Sequence, residues 1–196
     1  MKVGEAPEDE NTSPEAIRIQ LRRSLARMRT DYVDVYYLHR YDRDTEPHAV
    51  ARAMGEELRA GTIRAWGVSN YTAAQLAALL AAAADEGVPD PALCQPALSM
   101  LNTGALEELL PLCEKEGVGV VPYQLLQGGM LTGKYRRGQE APAGSRLAEK
   151  PEWMKTFTDE TYDVIERCAA EAAAEGVTMT QHALRWALAQ PGVVSA

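Results

Sequence analysis

The stretch "TDYVDVYYLHRYD", residues 30–42, runs through β-branched and aromatic residues and stops on a histidine, an arginine and an acid. Its apolar residues do not alternate with polar ones, which is the pattern of a strand covered on both faces. Such a strand belongs in a core, yet it finishes on His39. What that histidine is for depends on what the ends of the other strands bring to the same place.

Upstream, "SPEAIRIQLRRSLARM" (13–28) predicts a helix, with Ser13 as N-cap, Pro14 at the first helical position and Glu15 in the first turn. Ile17, Leu21, Leu25 and Met28 recur at helical spacing on one face. Downstream come a helix stopped at Gly61, a strand "IRAWGVSNY" (63–71) and an alanine-rich helix capped by Thr72. A short strand "PALCQPAL" (91–98), a helix "ALEELLPLCEKEG" (105–117) and a strand "VGVVPYQLL" (118–126) follow. After the long loop "QGGMLTGKYRRGQEAPAGSR" (127–146) the pattern gives two helices, at 159–176 and 178–192, and a final strand "GVVSA". Apolar strands alternating with amphipathic helices imply a parallel sheet of right-handed βαβ units. A doubly wound sheet and a (β/α)8 barrel both fit, although no G-x-G-x-x-G turn follows any strand.

The chain has 196 residues, 46% hydrophobic and 24% charged, enough for one sizeable core, and residues 1–196 read as a single domain. A net charge of -8 argues against a general nucleic-acid binder, which needs a basic face for phosphates. Cys94, Cys113 and Cys168 have no metal-ligand spacing and read as reduced core thiols of a cytoplasmic protein. The opening "MKVGEAPEDEN" has no apolar signal region, and the longest apolar block, "AAQLAALLAAAA", is too short to span a bilayer. No membrane association is expected. Asp34, inside a strand, calls for a bonding partner such as an arginine, while His48 and His182 read as surface or packing residues.

In parallel α/β architectures the C-terminal ends of the strands carry the chemistry. Those ends present His39, then Ser69 with Asn70, then Gln95, then Tyr123 with Gln124. Amide and hydroxyl groups of this kind suit a neutral planar ligand with donors and acceptors, such as a carboxamide, and an aromatic ring beside them can stack on a flat heterocycle. No metal-ligating or Ser-His-Asp set is visible at the strand ends.

The segments "SLARMRTDYVDVYYLHRYD" (24–42), "LRAGTIRAWGVSNYTAAQL" (58–76), "CQP" (94–96) and "GGMLTGKY" (128–135) resemble those of the aldo-keto reductases, and the resemblance covers the chain from Met1 to Ala196. It implies a (β/α)8 TIM-type barrel, NADP(H) as cofactor, and a small-molecule carbonyl substrate reduced from aldehyde or ketone to alcohol. It further implies that Ser69, Asn70 and Gln95 hold the nicotinamide carboxamide and that Tyr123 stacks on the ring. The loop with Gln124, Leu126, Gly129, Lys134 and Arg146 would fold over the pyrophosphate, with Lys134 and Arg146 as its cations. His39 would orient the substrate carbonyl. "MKVG" resembles the family's "TKVG", which makes Lys2 the lysine of the catalytic set, acting on the pKa of an acid tyrosine.

Departures accompany the match. No residue here corresponds to that tyrosine or to the aspartate that joins it, so the chain reads as about strands three to eight of an incomplete barrel. "QLLQ" (124–127) stands where the family has "SPLA", and no tyrosine follows Gln95 in "QPALSML". On this reading the chain taken alone is expected to be inactive and to self-associate through open sheet edges. The alternatives are a cofactor-binding, redox-sensing regulatory subunit like the channel β-subunits, or a non-functional gene fragment.

Overall fold

The computed structural model describes residues 2–3, 11–154 and 158–196, with no side-chain description for Lys2, Val3 and Trp153. Five parallel strands are hydrogen-bonded in sequence order: β1 (Lys2–Val3), β2 (Val33–Leu38), β3 (Ile63–Ser69), β4 (Leu93–Gln95) and β5 (Gly119–Val120). A parallel bridge from Val120 to Val193 brings the end of the chain alongside β5. A doubly wound sheet reverses its strand order at a switch point; this sheet does not. Its order is that of a (β/α)8 barrel, of which the sheet is an incomplete arc.

The helices between strands are α1 (Pro14–Met28), α2 (Pro47–Ala60), α3 (Ala73–Asp85) and α4 (Leu109–Glu116). They begin and end where local chemistry dictates. Ser13 accepts from the Ala16 amide at 3.2 Å and Pro14 opens α1. Thr72 and Gln75 form a capping box on α3, and Gly61 and Gly117 terminate α2 and α4 in the left-handed conformation. Tyr36, Leu38, Trp66, Val68, Cys94 and Val120 alternate along the strands and are buried to within 1% against the helices. Each such side chain contributes roughly 1.5–3 kcal/mol. Trp66 also donates its indole N–H to the Pro89 carbonyl at 2.8 Å, so the largest core residue leaves no polar atom unsatisfied.

On the opposite face, Val35, Tyr37, Ala65, Leu93 and Val121 are only half-buried. Tyr37 lies across Gly67, where a Cβ would come within 2.8 Å of its ring. Beyond β5, the helices α5 (Arg146–Glu149), α6 (Asp159–Ala174) and α7 (Met179–Leu188) join Met130, Leu131 and Tyr135 in a second, smaller core.

Several elements differ from the sequence expectation. The strand expected over 118–126 is only two residues long, because Pro122 has no N–H for the ladder and Gln124 turns into the left-handed region at φ 61°. Pro96 likewise ends β4 at Gln95. The helix expected from residue 105 begins at Leu109, after a 3-10 turn over Gly104–Leu106. The final "GVVSA" contributes the Val193 bridge rather than a full strand. Asp34 has the expected partner, Arg64 Nη1 at 2.7 Å, but both side chains are exposed and the pair stabilises little. His48 is on the surface facing Asp85, and His182 is packed between Glu171 and Glu175. All three cysteines are free and buried.

Candidate functional site

Parallel pairing in register puts the C-terminal ends of β2 to β5 along one edge, and the polar residues there are joined in a row. Ser69, buried completely at the end of β3, donates its hydroxyl to the Gln95 carbonyl at 2.9 Å. Asn70 follows in the left-handed region, at φ 60°, a conformation that asparagine tolerates better than most residues. That turn aims its amide across the strand ends. Nδ2 donates to the His39 carbonyl at 2.8 Å and to Ser69 Oγ at 3.1 Å, while Oδ1 accepts from the Tyr123 hydroxyl at 2.6 Å. Tyr123 is held in turn by its own amide, which donates to the Pro96 carbonyl at 2.9 Å.

His39, Ser69, Asn70, Gln95 and Tyr123 are thus brought together as a hydrogen-bonded rim. Ser69 lies behind that rim, with its proton committed to Gln95. Asn70 is exposed, and Gln95, Tyr123 and His39 are half-buried. A hollow of about 380 Å³ borders Asn70 on one side, against Tyr71, Thr72, Pro96 and Asn102. Lys2 pairs with Tyr37 in the ladder, two residues short of His39. Its side chain lies outside the described part of the structure.

The chain passes from the rim directly into a larger cleft of about 600 Å³, lined by Gln124, Leu126, Gly129, Lys134 and Arg146, the loop residues that the sequence singles out. The floor of this cleft is unusual backbone. Gln124, Gln127, Gly128 and Gly129 have φ of 61°, 44°, 66° and 99°, a run of positive φ values. The turn is closed by its own amides, with Gln127 N–H donating to the Gln124 carbonyl at 2.7 Å and Gly129 N–H to the Leu126 carbonyl at 2.8 Å. Cations flank the two glycines: a Cβ on Gly129 would stand 2.9 Å from Lys134 Nζ, and one on Gly128 would stand 3.7 Å from Arg146 Cδ. Lys150 and Glu149 complete the lining.

Tyr135 sits beneath, 3% exposed, with Lys134 Nζ 5.1 Å from its ring centroid and its hydroxyl accepting from the Leu147 amide at 3.2 Å. Burial pushes the Tyr135 phenol up, but the Leu147 N–H, Ser145 and Lys134 together hold it below its ordinary value. Two residues further on, Arg137 anchors the loop to α6 through Asp159, Asp163 and Glu166, with its guanidinium over the Tyr162 ring. Sequence reasoning missed Gln127, Tyr135, Arg137 and Lys150. Only Lys150 had a local signal, since Arg146 and Lys150 stand four apart across a short helix capped by Ser145.

Among the described residues there is no cluster of His, Cys, Asp and Glu suited to a metal, and no helix is long and apolar enough to cross a membrane. The uncharged amide-and-hydroxyl rim thus leads along the chain, from Tyr123 to Gln124, into a glycine-floored, cation-lined cleft.

A glycerol dehydrogenase from Gluconobacter oxydans superposes with a TM-score of 0.80 at 28% identity, covering 99% of this chain and 60% of that one. A "Probable voltage-gated potassium channel subunit beta" of Oryza sativa is 33% identical over 98% of this chain and 60% of its own length. An "NADH-specific methylglyoxal reductase" of Escherichia coli is 33% identical over 99% of this chain and 58% of its own. The chain therefore spans about 60% of the length of these relatives. The sequence profile of the Aldo/keto reductase family matches residues 1–196, and the chain belongs to that family.

Proposed function

We propose that the chain carries the cofactor site of an NADP(H)-dependent reductase that converts aldehydes or ketones to alcohols. The observation that supports this most is that the Asn70-centred rim ends on Tyr123, whose neighbour Gln124 begins the lining of the cleft over Gly128 and Gly129. Asn70 and Gln95 would hold the nicotinamide carboxamide, with Ser69 behind them fixing the Asn70 amide. The ring of Tyr123 would lie against the nicotinamide, and Lys134 and Arg146 would take the pyrophosphate. When bound, the dinucleotide supplies the hydride.

The remaining work falls to side chains at the strand ends. His39 would orient the carbonyl oxygen of the substrate, and Lys2, through its family motif, would act electrostatically on a proton donor. The family's acid tyrosine and aspartate have no counterpart among these 196 residues, so proton delivery is not assigned to any of them. The similarity to a channel β-subunit supports a second reading, in which the same pocket holds the cofactor for regulation of a protein partner and turnover is slow. A cytoplasmic location goes with either reading.

Titration with NADPH, followed by its fluorescence, tests the site. Saturable binding is expected, weakened at least tenfold by Asn70→Ala and by Lys134→Ala, the size usual for losing a charged or buried hydrogen-bond partner. Absence of binding, or binding indifferent to both substitutions, would remove the reading. Steady-state NADPH oxidation over a panel of aldehydes separates the reductase from the regulatory subunit.

A further inference from the structure

The cleft cations sit on two separate limbs of chain: Lys134 follows the glycine turn, whereas Arg146 opens α5, a helix of four residues. One helical turn does not hold itself together, because nucleation costs more than a single turn returns. Its first amides also lack partners within the helix. Here Ser145 Oγ accepts from the Ala148 amide at 3.3 Å, and the Leu147 amide is taken by Tyr135 from the other limb. The same tyrosine presents its ring to Lys134 at 5.1 Å and lies 3.9 Å from where a Gly129 Cβ would stand. A phenylalanine would fill this space equally well. The hydroxyl is the group that hydrogen-bonds to α5.

We propose that Tyr135 is the positioning residue of the cleft: as a remote cap on α5 it fixes the limb carrying Arg146 to the limb carrying Lys134. An anionic ligand then meets the two cations as a preformed pair. The ordering of a mobile α5 is completed before the ligand arrives, instead of being charged against its affinity. This inference rests on the dinucleotide reading above for the identity of the ligand, but not for the tie itself.

The test is NADPH affinity in a set of variants, together with amide exchange at Leu147. Tyr135→Phe keeps the packing and removes the cap. It is expected to weaken NADPH about tenfold, the usual consequence of orphaning one buried amide. The same factor is expected when Lys134 is already alanine. In the Arg146→Ala background the added loss is expected to fall below twofold, because the residue being positioned is gone. A merely structural tyrosine would weaken binding equally in both backgrounds, and that result would overturn the proposal, as would a loss below twofold in the otherwise native chain. If the native chain does not bind NADPH at all, the dinucleotide reading fails separately. The tie is then decided by the Leu147 amide, whose exchange should quicken at least tenfold in Tyr135→Phe; unchanged exchange would overturn it.

Discussion

The strand-end rim and the cleft beside it are built by different means. The rim hangs on the sheet. His39, Ser69, Asn70 and Gln95 are placed by strands whose opposite face is sealed by Tyr36, Leu38, Trp66 and Val68, and the rim bonds tie the end of β3 to those of β2 and β4 and to Tyr123 beyond β5. The cleft hangs on a loop. Its geometry comes from left-handed backbone at Gln124, Gln127, Gly128 and Gly129, from one tyrosine hydroxyl and from the Arg137 ion pairs. The comparison teaches that the rim, proposed to recognise a flat, neutral group, is held by the sheet, while the floor of the cleft proposed to hold phosphates rests on loop backbone. Sites on strands are held more firmly than sites on loops, and local opening draws on regions with few buried contacts.

The largest effect should come from breaking the sheet beneath the rim. Trp66→Ala removes a fully buried ring and its hydrogen bond to Pro89, and urea denaturation should show a loss of about 3–5 kcal/mol. Val35→Ala, on the half-buried face of β2, should cost much less, about 1 kcal/mol or below. Equal losses at the two positions would mean that the open face is covered in solution.

Next in size is a change that should leave the sheet alone. Gly129→Ala places a methyl at φ 99° against Lys134 Nζ. Strain at such a position is worth about 1–3 kcal/mol. NADPH affinity should fall by tenfold or more, while the urea transition of the main core barely moves. A coupled loss of both would show that rim and cleft are not the separate constructions described here.

Releasing the loop from α6 is a smaller perturbation. Arg137 is exposed and its acids are too, so Arg137→Gln should leave stability nearly unchanged. Stopped-flow dissociation of NADPH should nevertheless quicken by about two- to fivefold, and the difference should shrink in high salt, where exposed ion pairs are screened. A dissociation rate unaffected at low salt would show that Arg137 has no part in holding the loop.

The smallest effect lies in the loop after His39. Asp42 is partly desolvated, which pushes its pKa up, but Thr45, the Thr12 amide and the Asp44 amide outweigh that and hold it below the ordinary carboxylate value. A depressed pKa means stability that is present above the unfolded value, near about pH 4, and lost as pH falls through the folded one. Thermal melts from pH 6 down to pH 3 should therefore show a steeper acid decline for the native chain than for Asp42→Asn. Parallel declines would contradict this.

The fold was largely legible because its signals are local: helix caps at Ser13 and Thr72, stops at Gly61 and Gly117, and apolar strands that finish on polar residues. The rim followed, since each member ends a strand. What the sequence hid depends on contacts between distant residues or on backbone that composition does not reveal. Nothing in "GKYRRG" says that Tyr135 reaches Leu147, or that Arg137 meets acids 22 to 29 residues later. Positive φ at Gln124 and Gln127 has no compositional mark, and that is also why the strand expected over 118–126 was too long.

Amide hydrogen exchange with and without saturating NADPH puts the central comparison to the most direct test. Peptides covering the strand ends at 36–39, 66–70 and 93–95 should be protected in both states and change little. Those covering the glycine turn at 124–133 should exchange faster than the strand ends without the dinucleotide and slow by tenfold or more with it, while the Leu147 amide, tied to Tyr135, stays protected in both states. Equal protection of the glycine turn and the strand ends without ligand, or slowing confined to the strand ends, would contradict a rigid rim beside a cleft whose floor is loop backbone.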